Sequence, residues 1–167
     1  MASDLLFRKP SIDVVQGDEY VGPMFGKVAA AATVTYLVPG KLVKYSTYDG
    51  SIDIAGANDV SGNVGIIGYE KTPLAFKPAT RDTIYAVGDH VAVHNTPGMR
   101  FRGWVIAGAA ITPGMELTHL AADTSGNFSQ FVGVGVGTYQ QRPLARALES
   151  VSAPTGTVAV ACWMEWL

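Results

Sequence analysis

The feature that most limits what this chain can fold into is its punctuation. Glycine (19) and proline (9) recur at short intervals through 167 residues. Together they make up about a sixth of the chain, against the ~12% of average usage. Between them lie short segments rich in Val, Ile, Thr, Tyr and Phe. Segments of this kind between turn signals predict strands packed as an all-β sandwich or barrel.

The expected strands can be placed. One runs over residues 41–48, from Pro39-Gly40 to the hairpin dipeptide Asp49-Gly50. Others cover 51–55, 64–69, 89–94, 100–107, 115–120, 128–136 and 157–167. Side chains alternate across a strand. In 100–107 that puts Phe101, Gly103 and Val105 on one face and Arg100, Arg102 and Trp104 on the other. In the last strand Val158, Val160, Cys162, Met164 and Trp166 share an apolar face. Its opposite face, Thr157, Ala159, Ala161, Trp163, Glu165 and Leu167, suits a second layer, a subunit contact or burial within one subunit. Residues 143–149 suit either two turns of helix with Pro143 at the first position or a strand. No helical layer is expected, which argues against a doubly wound α/β fold.

Residues 1–33 have a different texture. They mix Asp4, Arg8, Lys9, Asp13, Asp18 and Glu19 with isolated apolar side chains and lack a long alternation. They are expected to form an N-terminal arm, and 34–167 a compact β-barrel domain. An ordinary first strand of the domain is the competing expectation for that stretch.

Composition excludes several classes. Hydrophobic residues make up 48% and charged residues 16%, with a net charge of −2. No basic block suits phosphates, so a nucleic-acid partner is not expected. No apolar run approaches the ~20 residues of a membrane helix, so a membrane partner is not expected either. The N-terminal residues lack a signal-peptide pattern. A surface this poor in charge is expected to face other protein.

Chemistry is sparse as well. His90 and His94 share a strand face about 13 Å apart, too far to hold one metal. His119 stands near Glu116 on opposite faces, and all three histidines are expected at a surface or an interface. Cys162 is the single cysteine and reads as a buried small hydrophobe. The Gly133–Gly137 alternation does not match a phosphate loop and reads as a close backbone contact. Asp49, Asp53, Asp59, Asp82, Asp89 and Asp123 sit mostly at turns, where carboxylates cap the backbone. No catalytic residue, metal site or cofactor is expected. If the chain were a ligand-binding module or an enzyme, Asp89, His90, Arg100 and Arg102 would be the place to look.

Four segments resemble a known group. They are Gly88-Asp89-His90-Val91-Ala92-Val93, Ile111-Thr112-Pro113-Gly114-Met115, Leu144-Ala145-Arg146-Ala147-Leu148-Glu149 and Gly156-Thr157-Val158-Ala159-Val160. In order and spacing they resemble small head decoration (capsid cement) proteins of tailed phages, over residues 85–161. One departure is Ala145, where the family carries a glycine. The resemblance implies a β-tulip or β-barrel fold, a homotrimer and a non-enzymatic stabilising role on the outer capsid surface. The chain would be made in the host cytoplasm and reside in the virion, with the major capsid protein as partner. Leu5, Leu6, Phe7, Ile12 and Val14 of the arm would contact the coat. Trp104, Trp163 and Trp166 would anchor the core or the subunit interface, since Trp is enriched at interface hot spots. A tail-tube, adaptor or host-binding spike subunit is the alternative within the virion.

Overall fold

A computed structural model describes residues 15–16, 24–29, 34–45, 50–55, 64–72, 82, 84–119, 124–132, 142–152 and 159–167. The strands are β1 (Val15–Gln16), β2 (Met24–Val28), β3 (Leu42–Tyr45), β4 (Ser51–Ile54), β5 (Val64–Thr72), β6 (His90–His94) and β7 (Arg100–Val105). They continue as β8 (Ala110–Ile111), β9 (Glu116–His119), β10 (Phe128–Gln130), β11 (Ala145–Ala147), β12 (Val151–Ser152) and β13 (Val160–Trp166). The only helix among the described residues is one 3-10 turn, Val34–Tyr36. The expected all-β barrel architecture is present, and the 143–149 segment resolves to strand.

The strands close into two small barrels in succession. The first runs β2-β4-β3-β5-β6. The second runs β7-β10-β9-β11-β13, and β13 returns to pair antiparallel with β7 along Val160↔Val105 to Glu165↔Arg100. Closure removes exposed sheet edges. Two barrels arise because the chain carries two complete inward-facing sets, separated by the short turn at Thr96-Pro97-Gly98. Met24–Val28, within the stretch expected as the arm, pairs with β6 (Met24↔Val93 to Lys27↔His90) and, in parallel, with β4. Val15–Gln16 pairs antiparallel with β7 at Phe101 and Arg100.

Each barrel has its own interior. The first packs Val43, Ile52, Ile54, Ile67, Val91 and Val93, with Tyr85 inserted from the loop before β6. The Tyr85 hydroxyl donates to the Gly68 carbonyl at 2.7 Å, so its polar end is satisfied in the core. The second centres on Phe101, whose ring lies 5.7 Å from Phe128 and 5.9 Å from Trp166. Leu117, Cys162 and Met164 pack with them.

The second core does not stop at its own wall. Leu42, Ala55, Val64 and Ile66 of the first barrel belong to it. Val43 and Ile67 face inward, so Leu42 and Ile66 face outward by alternation. They are nevertheless fully buried, because the outer face of β3 and β5 is where the second barrel sits.

Candidate interaction surfaces

The seam between the barrels is built from a corner and a gap. Along one side β7 pairs continuously with β13. On its other side β1 covers Arg100 and Phe101, and β10 joins, in parallel, only at Val105. The Pro39-Gly40 corner of the first barrel lies against the stretch between them. Trp104 Nε1 donates to the Pro39 carbonyl at 2.9 Å. The Lys41 ammonium lies 5.5 Å from the centre of the Trp104 ring and donates to Asn127 Oδ1. Leu42 N donates to the Gly126 carbonyl at 2.9 Å. Lys41 and Asn127 are each only 7% exposed, and a lysine is seldom so buried unless its charge is met. Here an amide oxygen and an aromatic face meet it.

Trp104 is thus an anchor between the two barrels of one chain. Trp163 is half-buried on the outward face of β13, opposite Arg102. Its backbone N–H donates to Glu149 Oε1 at 2.9 Å, and its carbonyl accepts from Leu148 N at 2.8 Å. The Glu149 side chain therefore extends the β11–β13 ladder beyond Ala147. Glu149→Ala is expected to cost about 1–2 kcal/mol, and Glu149→Gln, which keeps an acceptor oxygen, about half that. Urea midpoints of the two variants check this, and equal costs would mean that the hydrogen bond contributes nothing.

Trp166 is buried beside a cleft of about 390 Å³ between the barrels. Val64 and Asn95 line it from the first barrel, and Arg142, Pro143, Leu144, Trp166 and Leu167 from the second. Leu5, Leu6, Phe7, Ile12 and Val14 lie outside the described residues, as do Gly133–Gly137.

The residues singled out for chemistry are dispersed. Asp89 Oδ2 accepts from Ala86 N at 2.9 Å, a turn-capping role. His90 is exposed at the start of β6, while Arg100 and Arg102 face outward on β7 of the other barrel. None of the four lines the cleft. His94 and His119, expected at a surface or an interface, are buried at 1% and 2% exposure: His119 shares the inward face of Leu117, whereas His94 lies opposite Ile66 on the outward face of the first barrel, which the second barrel covers. Among the described residues no group of three His, Cys, Asp or Glu side chains could hold a metal ion. No helix of the described residues is long and apolar enough to cross a membrane.

Cys162 is fully buried. Burial first, and then the nearby Glu149 carboxylate, push its thiol from 9.0 up to about 11. A raised thiol stabilises the fold as the neutral form. That contribution is whole below the ordinary thiol range and is lost as pH rises through about 11.

The outward face of the second barrel carries alternating charge. Glu116 lies opposite Arg146, Arg146 opposite Glu165, and Glu165 opposite Arg100. Each opposed pair is worth a few tenths of a kcal/mol or more. No net basic stripe results. Sequence reasoning missed the seam residues Lys41 and Asn127. Their one signal is a polar side chain directly after a Gly turn residue and directly before a strand.

No family model matches the chain. No curated protein matches it either. Among solved structures it is similar to the head fiber gp8.5 N base of bacteriophage phi29, at 14% identity and a TM-score of 0.49, over 86% of this chain and 92% of that chain. At this distance the likeness assigns no function.

Proposed function

We propose that this chain is a non-enzymatic structural protein of a phage virion, which binds the outer surface of an icosahedral capsid as a homotrimer and stabilises it. The observation that carries this reading is the anchoring of the N-terminal segment. Val15–Gln16 pairs with β7 on the second barrel, so residues 1–14 issue from a firmly packed body. That segment holds Leu5, Leu6, Phe7, Ile12 and Val14. A segment of this composition suits addition to a neighbour's sheet edge, where backbone hydrogen bonds form and apolar side chains fill pockets. The major capsid protein is the partner proposed for it.

Three further features support the reading. The four segments described above resemble phage head decoration proteins. The chain is poor in charge, and the charges on the second barrel oppose one another in register. Trp163 remains partly accessible on that barrel, where a second subunit would find a large aromatic anchor. The work done is thermodynamic, because a protein that binds only the assembled shell stabilises it by mass action.

Electron microscopy of virions carrying a copy tagged at Leu167 tests the location. Tags are expected over the head shell around its local three-fold positions. Tags confined to the tail would overturn the capsid reading in favour of a tail-tube, adaptor or spike subunit.

A further inference from the structure

The seam holds a side-chain amine against a side-chain amide, out of water. Lys41 and Asn127 are each 7% exposed, and the Lys41 ammonium donates to Asn127 Oδ1 beside the Trp104 ring. The backbone fixes both partners. Lys41 N donates to the Val38 carbonyl at 3.3 Å, and the Lys41 carbonyl accepts from Ile67 N at 3.0 Å. Asn127 is held between Gly126, whose carbonyl accepts from Leu42 N at 2.9 Å, and Phe128, which is fully buried and paired with His119 and Val105. A Cβ at Gly126 would lie 2.6 Å from the Leu42 carbonyl oxygen, so the two backbones are in close contact here.

These are the conditions under which an amine replaces the nitrogen of an amide. Two groups held in one geometry need no encounter. Burial favours the neutral, nucleophilic form of an amine in general. Exclusion of water removes the competing nucleophile. Cγ of Asn127 is bonded to the oxygen that already meets Nζ, so a turn of the amide presents the carbon to the amine.

We propose that Lys41 and Asn127 join in an isopeptide bond that covalently ties the first barrel to the second. The ammonium passes one proton along its hydrogen bond to Oδ1, which frees the nitrogen lone pair and makes Cγ more electrophilic. Nζ then bonds to Cγ. The Cγ–Nδ2 bond breaks, its electron pair leaves with Nδ2, and the carbonyl reforms. Nδ2 takes up the two protons shed by Oδ1 and Nζ and departs as ammonium. Nothing is oxidised or reduced, and no further reactant is needed. The fold forms first and the bond follows from it, so freshly folded chain still holds the hydrogen-bonded pair. The bond spans 86 residues of sequence and does not depend on what the protein binds.

Mass spectrometry of the full chain decides the matter. Folded chain, measured fresh and again after a long warm incubation, should become lighter by one ammonia. Chain held unfolded in urea should keep its full mass. Digestion of the lighter form should give a branched peptide joining Lys41 to Asn127. An unchanged mass after incubation would overturn the proposal. So would an ammonia loss found only in linear peptides, because an asparagine that closes on its own backbone to a succinimide loses the same mass. Lys41→Arg removes the amine and keeps the charge, and Asn127→Ala removes the amide from the other barrel. Both variants should stay at full mass, and a loss that persists in either would place the reaction elsewhere and overturn this site. The peptide map of the unaltered chain gives the answer even where a variant fails to fold.

Discussion

Gly40→Ala should destabilise the protein by about 2–4 kcal/mol, whereas Gly114→Ala should cost only about 1 kcal/mol. Both glycines sit in the left-handed region, at φ of +86° and +87°, so the conformational strain of adding a methyl group is shared. Their surroundings are not. A Cβ at Gly114 meets nothing within 4 Å. A Cβ at Gly40 would lie 2.4 Å from the Arg102 carbonyl oxygen and 3.3 Å from Trp104 Nε1. That oxygen belongs to β7, which is held by β13 along its length, so the corner must retreat instead. Retreat stretches the hydrogen bond from Trp104 to Pro39 and lifts Lys41 from the Trp104 ring. Lys41 is then a buried charge with its partners displaced, the costly outcome for a group of this kind. Urea unfolding of the two variants measures the difference between their costs, which is the seam's own contribution. Equal midpoint shifts would mean that the barrels do not depend on this corner.

The same seam marks where the sequence stops being readable. Faces within a strand are visible in the order of residues. Phe101, Gly103 and Val105 point inward and Arg100, Arg102 and Trp104 outward, as alternation requires, and Cys162, Met164 and Trp166 follow suit. Partners are another matter. Nothing local says that β10 joins β7 in parallel, or that β13 closes on β7 to make a second barrel. Met24–Val28 is too short and too mixed to read as a strand, and it becomes one because β6 and β4 lie on either side of it. Leu42 shows the limit most clearly. Alternation places it outside its own barrel, yet it is fully buried, because another barrel covers that face. Lys41 and Asn127 are 86 residues apart. A contact at that distance has no periodicity to announce it. For the tryptophans, the side of the strand was legible and the neighbour was not. Trp104 meets Pro39 and Lys41, and Trp166 lies against Phe101 beside the cleft.

Removing residues 1–14 should abolish binding to the capsid and leave the barrels as stable as before. The cut falls just before Val15–Gln16, so the pairing of β1 with β7 is kept. The unfolding midpoint should therefore stay within about 0.5 kcal/mol, the usual range for changes away from packed features. Binding should respond very differently. Leu5, Leu6, Phe7, Ile12 and Val14 would each contribute up to about 1.5–3 kcal/mol on full burial. Much of that gross gain is consumed by the cost of ordering the arm. A surplus of only ~3 kcal/mol still corresponds to more than a hundredfold in affinity. Co-sedimentation of the truncated and full chains with purified shells separates the possibilities. A full chain that pellets with shells beside a truncated chain that stays in solution, with matching urea curves, places the binding energy in the arm. Undiminished pelleting of the truncated chain would move it to the barrel surface and remove the arm's role. Phe7→Ala in the full chain refines the point, because losing one buried aromatic should weaken binding about tenfold or more without touching any strand. A deletion that abolishes binding while Phe7→Ala does nothing would leave the backbone of the arm, through strand addition, as the main source of affinity.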